Sequence, residues 1–465
     1  MKTTITSLLL IYLLTGCVSL PDGLSYQGKP QPVQNINFMA DISYIDDKGK
    51  RHVEQEIFDE VFRAIDQAKR FILVDMFLYN DFQGPVKENT RALSDELTAR
   101  LIRQKKQFPA MQTIVISDPI NNVYGGLPSK QFASLRNAGI HVVITDLNKL
   151  PDSNPLYSAF WRLFIKPFGN SQGGILPNPL GEGRVSARSY LKLLNFKANH
   201  RKVLIADKGN DFVGLITSAN PHDGSSAHRN VAIKFNGPAV HDLLETEKAV
   251  LAFSGATVPD ITLPNSQQES GTTVQVLTER KIKTTLLQTL HNAKRGEQID
   301  LSMFYLSDRD IVTALKQLPK RGVKTRVLLD PNKDAFGREK NGIPNRQVAR
   351  ELHEAGIPVR WCNTQGEQCH GKMLIAHNAD GNSTIILGSA NFTRRNLDDL
   401  NLETDVAVRG NRQMPVIKEA QAHFDLMWHN KPGQVFSVDY DAYKDDSLLK
   451  QGLYRLMEAS GVSTF

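Results

Sequence analysis

The stretch "EQCHGKMLIAH", residues 367–377, places His370 and Lys372 one residue apart just ahead of an apolar run. Earlier in the chain "ANHRKVLIAD", residues 198–207, repeats the arrangement with His200 and Lys202. The first copy ends in Asp207 and the second in His377. Each pair opens a strand pattern, and side chains two apart share one face of a strand. His200 and Lys202 are therefore expected to point the same way, and so are His370 and Lys372. Downstream, "ITSANP" (216–221) supplies Ser218 and Asn220, and "LGSANF" (387–392) supplies Ser389 and Asn391. Two such half-sites around one cavity would present two imidazoles, two ammonium groups, two carboxamides and two hydroxyls. That set suits a tetrahedral phosphate, whose developing charge is stabilised by cations and neutral donors. One histidine can attack phosphorus while the other protonates the leaving oxygen.

The repeat extends beyond these clusters. "VFRAIDQAKRFILVDMFLY" (61–79) and "LLQTLHNAKRGEQIDLSMFYL" (286–306) both run as an amphipathic helix, then "AKR", then an apolar strand ending in Met-Phe. "MQTIVISDP" (111–119) matches "VKTRVLLDP" (323–331), and "HVVITD" (141–146) matches "PVRWCN" (358–363), each of the latter pair after an "AGI" turn. Helix–strand alternation predicts an α/β fold of two similar halves. Each is expected to be a mixed, mostly parallel sheet flanked by helices, with one active site between the halves. In "SDRDIVTALKQL" (307–318), Ser307 or Asp308 can cap a helix whose Ile311, Leu315 and Leu318 form one stripe. The expected division is a tether at 17–39, a first domain at 40–253 and a linker rich in Ser, Gly, Pro and Gln at 254–272. A second domain at 273–432 and a C-terminal extension at 433–465 complete it.

The first half carries an insertion at 147–195. It includes "LYSAFWRLFIKPFGNSQGGILPNPLGEG" (156–183), with Phe160, Trp161, Phe164, Ile165 and Phe168 near Arg162 and Lys166. It reads either as an extra helix packed on the core or as an amphipathic cover that touches lipid or shapes an acyl pocket.

The chain has 465 residues, 40% apolar and 23% charged, with a net charge of +7. Such a length suits two or three domains. The basic excess suits phospholipid surfaces or nucleic acid without choosing between them. At the N-terminus, Lys2 precedes an apolar stretch from Ile5 to Leu14 that ends in "LLTGC" at Cys17. This is similar to a bacterial lipoprotein signal, which implies removal of residues 1–16 and acylation of Cys17. A lipoprotein of the cell envelope facing the periplasm is implied, on the outer membrane in a Gram-negative cell. Cys362 and Cys369 then lie in an oxidising compartment, where a disulfide is preferred over two free cysteines, and a zinc site is the other reading, at a spacing that fits no ordinary finger.

The pattern H-x-K-x-x-x-x-D with a following S-x-N resembles the phospholipase D superfamily over roughly residues 40–430. "HRKVLIAD" carries all of it, and "HGKMLIAH" departs only at its last position. The resemblance implies a two-step phosphodiesterase or phosphatidyltransferase acting through a phosphohistidine, with no metal or cofactor. It also implies a helper carboxylate in N-x-E. After Asn391 comes "NLE", giving Asn401 and Glu403; after Asn220 comes "NVA", giving Asn230 and Ala232, with no carboxylate. Carried over, Glu403 would hold His200, the nucleophile, while His370, the acid and later base, would lack a partner. Asp223 could substitute for the missing acid, or be a turn residue. In relatives the Asp207 position is mainly structural, so His377 is expected to leave the chemistry intact. The implied partners are phospholipid, a membrane surface, and an alcohol or water acceptor, with the chain working as a monomer. A nuclease of the same superfamily and a non-enzymatic phosphate- or lipid-binding protein are the alternatives.

Overall fold

The computed structural model describes residues 19–21, 23–84, 87, 90–261, 271–335 and 338–463. Cys17 and the leader lie outside the described residues, as do residues 262–270 of the linker. The first half contributes β1 (Ile36–Ile45), β2 (Arg51–Glu54), β3 (Phe71–Met76), β4 (Gln112–Ser117), β5 (His141–Ile144), β6 (Lys202–Lys208), β7 (Asp211–Thr217) and β8 (Asn230–Asn236). They form one sheet in the order β2-β1-β8-β7-β6-β3-β4-β5. The second half contributes β9 (Thr272–Thr278), β10 (Gln298–Met303), β11 (Lys324–Leu329), β12 (Val359–Cys362), β13 (Lys372–His377), β14 (Asn382–Gly388), β15 (Thr404–Asn411) and β16 (Ser437–Asp439). Their order is β9-β15-β14-β13-β10-β11-β12-β16. From β1 to β5 and from β9 to β12 the two sheets are wired identically, so the sequence repeat is a structural repeat.

Helices α1 (Ile57–Gln67), α2 (Leu93–Gln107) and α3 (Lys130–Asn137) cover the outer face of the first sheet. In the insertion lie α4 (Pro155–Phe164) and α5 (Ala187–Leu193). After β8 comes α6 (Ala239–Phe253). Helices α7 (Arg280–Asn292), α8 (Arg309–Gln317) and α9 (Asn345–Glu354) cover the second sheet, followed by α10 (Pro415–His429) and α11 (Leu448–Ser460). As expected, Asp308 caps α8, its carboxylate accepting from the amides of Asp310 and Ile311.

The inner faces of the two sheets share one core. Val203 and Ile205 of β6 and Met373 and Ile375 of β13 belong to that shared cluster, whereas Leu204 and Leu374 point into the separate helix-covered cores. Period-two alternation between two buried faces explains why both runs are apolar throughout. Each half also lends a helix to the other: α6 packs on β9, and α10 packs on β1.

Three expectations are corrected. The sheets are mixed, but only β3-β4-β5 and β10-β11-β12 pair in parallel; the other pairings are antiparallel. The reason is the short link after each His-x-Lys strand. Gly209, at φ +61°, turns β6 straight into β7, and Gly381, at φ +85°, turns β13 into β14. Such links permit only antiparallel neighbours, since a parallel crossover needs a dozen or more residues. Residues 17–39 are not a plain tether: Gln31 and Pro32 pair with Val274 and Thr273 of the second sheet, and β1 already begins at Ile36. The C-terminal extension likewise closes the second sheet through β16. Among the described residues no helix is long and apolar enough to cross a membrane.

Candidate active site

Each His-x-Lys pair sits where its strand leaves the sheet towards the other half. The amide of His200 donates to Leu402 O at 2.8 Å, and that of His370 to Arg229 O at 2.9 Å. Each histidine is thus held by backbone of the opposite half. Asp118, in the "SDP" turn, accepts from Asn199 N at 2.8 Å, and Asp330, in the "LDP" turn, accepts from Cys369 N at 2.7 Å. These carboxylates fix the residue before each histidine. Lys202 Nζ donates to His200 O, and Lys372 Nζ to His370 O, both at 2.6 Å. Phe77 packs its ring 4.7 Å from that of His200, and Phe304 lies 4.9 Å from His370. The same two rings lie 5.1 and 5.2 Å from the lysine ammonium groups. His200, His370, Asn220 and Asn391 line one cavity of about 410 Å³.

The two histidines differ behind the ring. Both oxygens of Glu403 approach His200 Nδ1, at 2.9 and 3.0 Å. Ser389 Oγ donates to Glu403 at 2.5 Å, and the Asn396 carboxamide also donates to it. His370 Nδ1 instead lies 3.1 Å from Asn230 Oδ1, which accepts from Ser218 Oγ at 3.0 Å. The matched serines set the correspondence: Ser389 N donates to Thr404 O and Ser218 N to Val231 O, so the residue before each, Glu403 or Asn230, is equivalent. The expected pairing of Asn230 with Asn401 is therefore off by two, and His228 is the counterpart of Asn401. The ring of His370 therefore does not lack a partner: a carboxamide, not a carboxylate, stands at its Nδ1. Asp41, buried and pushed up to about 7 by burial, stands behind Asn230 and hydrogen-bonds to it. Asp223 opens the turn Asp223–Ser225, as the second reading expected, though not as an exposed residue. It is buried, and its Oδ1 accepts from Ser94 N at 3.0 Å at the start of α2.

Burial, followed by the ammonium groups of Lys202 and Lys372, holds His200 well below its ordinary value. Burial and Lys372 do the same to His370. Burial lowers Lys202 to about 7 against the pull of Glu403 and Asp75, and burial together with the charge of Lys202 holds Lys372 well below its ordinary value. Burial raises Glu403 to about 7 against the pull of Lys202. A site this dense in cationic groups, and this dry, is arranged to receive an anion.

Asp207 stands apart from the cavity. Its Oδ1 accepts from the amides of Lys69, Arg70 and Phe71 at 2.8–3.0 Å, closing the turn into β3. His377 occupies the matching end of β13, where Nδ1 meets Ser383 Oγ at 2.7 Å and Nε2 meets Gln421 Oε1 at 2.5 Å. The second half does not need the Asp because its longer "KRGEQ" turn carries Glu297, which accepts from Lys294 N at 2.7 Å. Cys362 and Cys369 form a disulfide next to His370. Reading the chain alone missed Phe77, Phe304, Asp118, Asp330, His228 and Arg395. The repeated "MF" and "DP" pairs were signals for the first four. Arg395, which lines the cavity and stacks 5.0 Å over Phe196, has no counterpart in the repeat.

Residues 286–428 match the family described as "Cardiolipin synthase, PLD-like domain". Cardiolipin synthase A of Pseudomonas putida (strain W619) is 23% identical over 288 residues, which cover 60% of this chain and 49% of that protein. The chain thus spans about half the length of the curated relatives it matches. The virion nicking-joining enzyme of Monkeypox virus is 32% identical over 143 residues, covering 28% of this chain and 30% of that protein. Among solved structures, phosphatidylserine synthase of Haemophilus influenzae Rd KW20 superposes with a TM-score of 0.57 at 11% identity, over 93% of this chain and 95% of that one. In fold and in its doubled His-x-Lys centre the chain is thus similar to the phospholipase D superfamily, and its second half matches a PLD-like domain family.

Proposed function

We propose that the chain is a phosphatidyltransferase or phospholipase acting on phospholipid headgroups through a covalent phosphohistidine. His200 Nε2 attacks phosphorus, and the P–O bond to the headgroup alcohol breaks as His370 gives that oxygen a proton. An alcohol or water then attacks the same phosphorus, His370 takes its proton, and the N–P bond breaks. Glu403 supports the choice of His200, because a carboxylate on Nδ1 fixes the tautomer with Nε2 free and raises its basicity. The neutral carboxamide of Asn230 leaves His370 the weaker base, suited to giving up a proton. Lys202 and Lys372 balance the charge of the phosphate. The observation that carries the phospholipid reading is the cavity itself, where the polar groups meet an apolar wall of Phe77, Leu78, Ile120, Leu180, Leu193 and Phe196. A nucleic-acid backbone has no use for that wall. Acylation at Cys17 on the periplasmic side of the envelope completes the proposal.

The test supplies the purified protein with phosphatidylglycerol, phosphatidylethanolamine and DNA in parallel, with and without chelator. Headgroup release or exchange that resists chelator, and its loss in His200→Ala, is the expected result. Cleavage of DNA alone would establish the nuclease reading instead. Turnover that stops with chelator overturns the route through histidine alone.

A further inference from the structure

We propose that α4, its following turn and α11 form a docking surface for an anionic phospholipid bilayer, an inference that rests on the phospholipid reading for its purpose. In α4, Leu156, Phe160 and Phe164 recur every four residues and are 90%, 50% and 58% exposed. Phe168 and Ile175 continue the surface at 73% and 80% exposed. Monomeric soluble proteins rarely leave a contiguous apolar patch of this kind uncovered.

The helix is held in place from its other side. Trp161 is buried, Arg162 pairs with Asp152 at 2.6 Å, Lys197 pairs with the same carboxylate at 2.8 Å, and Tyr157 donates to Leu191 O at 2.5 Å. The exposed rings are therefore presented by a fixed scaffold. Phe160 and Phe164 lie 5.1 Å apart, ring to ring.

Charge selects the occupant. Leaving aside Arg162, tied to Asp152 on the anchoring side, and the half-buried Lys192, the cations between residues 155 and 194 are Lys166, Arg184 and Arg188, with Glu182 the sole acidic residue. Two of these cations are bound directly under the apolar tips: Arg188 donates to Phe168 O at 2.7 Å, and Arg184 to Ile175 O at 2.6 Å. Apolar side chains ringed by cations fit the interface of an anionic membrane, where burial and attraction to lipid headgroups add.

Helix α11 carries a second exposed apolar stripe close by. Leu449, Leu453 and Leu456 form an exposed stripe on it, and its C-terminal cap, Gly461, lies against Ser153 just ahead of α4. Segments next to the patch reach the site. Leu193 and Phe196 of the insertion line the cavity, and Arg395 of the cavity binds Ser463 beyond α11.

Hydrogen exchange of the full chain with vesicles tests this, because it reads each segment separately from the N-terminus. With phosphatidylglycerol–phosphatidylcholine vesicles, amides in 155–168 and 448–462 are expected to slow by at least about tenfold, and by less with phosphatidylcholine alone. Unchanged exchange in these segments on protein that sediments with the vesicles would overturn the proposal. So would slowing that grows with protein concentration in the absence of lipid, which would assign the face to a second copy of the chain. In the double variant Phe160→Ser, Phe164→Ser, the ratio of turnover on vesicles to turnover on a monomeric short-chain phospholipid is expected to fall by about tenfold or more. An unchanged ratio speaks against docking. Should no phospholipid be turned over, the catalytic reading fails while the exchange experiment still decides the docking surface.

Discussion

Asn230 Oδ1 lies 3.1 Å from His370 Nδ1, in the place that Glu403 takes towards His200. A neutral acceptor fixes the tautomer without favouring the charged ring. Asn230→Asp would put an anion against His370. An opposite charge at this range raises a pKa by roughly 1–3 units. The limb of the pH–rate profile that reports His370 is expected to move to higher pH, while the limb for His200 stays. Parallel movement of both limbs would show that the halves titrate as one group.

Glu403→Gln keeps an acceptor near His200 Nδ1 and removes the charge. The nucleophile becomes less basic, and kcat is expected to fall by roughly 10²–10⁴-fold. Thermal denaturation is expected to show a folded protein. A loss below about tenfold would remove Glu403 from any role in activating the attack.

Asp207 and His377 share a sequence position but not a function. Asp207→Ala strips the acceptor from three backbone amides. Only the Phe71 amide is fully buried, and a buried orphan costs about 1–3 kcal/mol; with a smaller cost for the other two, a fall of roughly 2–4 kcal/mol in urea-induced unfolding is expected, with kcat of the folded fraction kept. His377→Ala loses only contacts to Ser383 and Gln421 and should cost about 1 kcal/mol.

Asp41 couples stability to pH. Its carboxyl is raised from 3.8 to about 7 by burial. The folded state therefore keeps a proton that the unfolded chain has released across that window. Stability is expected to fall as pH rises through it, by up to about 1.4 kcal/mol per pH unit. Asp41→Asn should flatten this dependence, since an Asn Oδ1 can still accept from the amides of Glu56 and Ile57. Unfolding curves from pH 4 to 8 read the difference.

Cys362 and Cys369 are seven positions apart. Closing so short a loop stabilises by about 2.5 kcal/mol in the chain-entropy account. Reduction is expected to lower stability by that order while sparing most activity, because Asp330 still holds Cys369 N. Activity that vanishes on reduction in a protein still folded would show that the bond itself shapes the site.

The primary structure alone determined the duplication, the α/β class and the identity of the two His-x-Lys clusters. Those properties are carried by local pattern: period-two apolar runs, tight glycine turns, and His-x-Lys followed by Ser-x-Asn. The antiparallel majority of the sheets was also latent there, in the few residues between β6 and β7. What only the tertiary structure decided was which residues meet across the halves. The partner of His370 depends on how β8 is registered against Ser218, and counting along the chain misplaced it by two residues. Asp118, Asp330, Phe77 and Phe304 are brought to the cavity by the sheet order, and Arg395 by a turn outside the repeat. The exposed ridge of α4 was legible as an apolar pattern, but a stripe of phenylalanines looks alike whether buried or bare. Its exposure follows from which face Trp161 and Asp152 anchor, and that is a property of packing between segments distant in sequence.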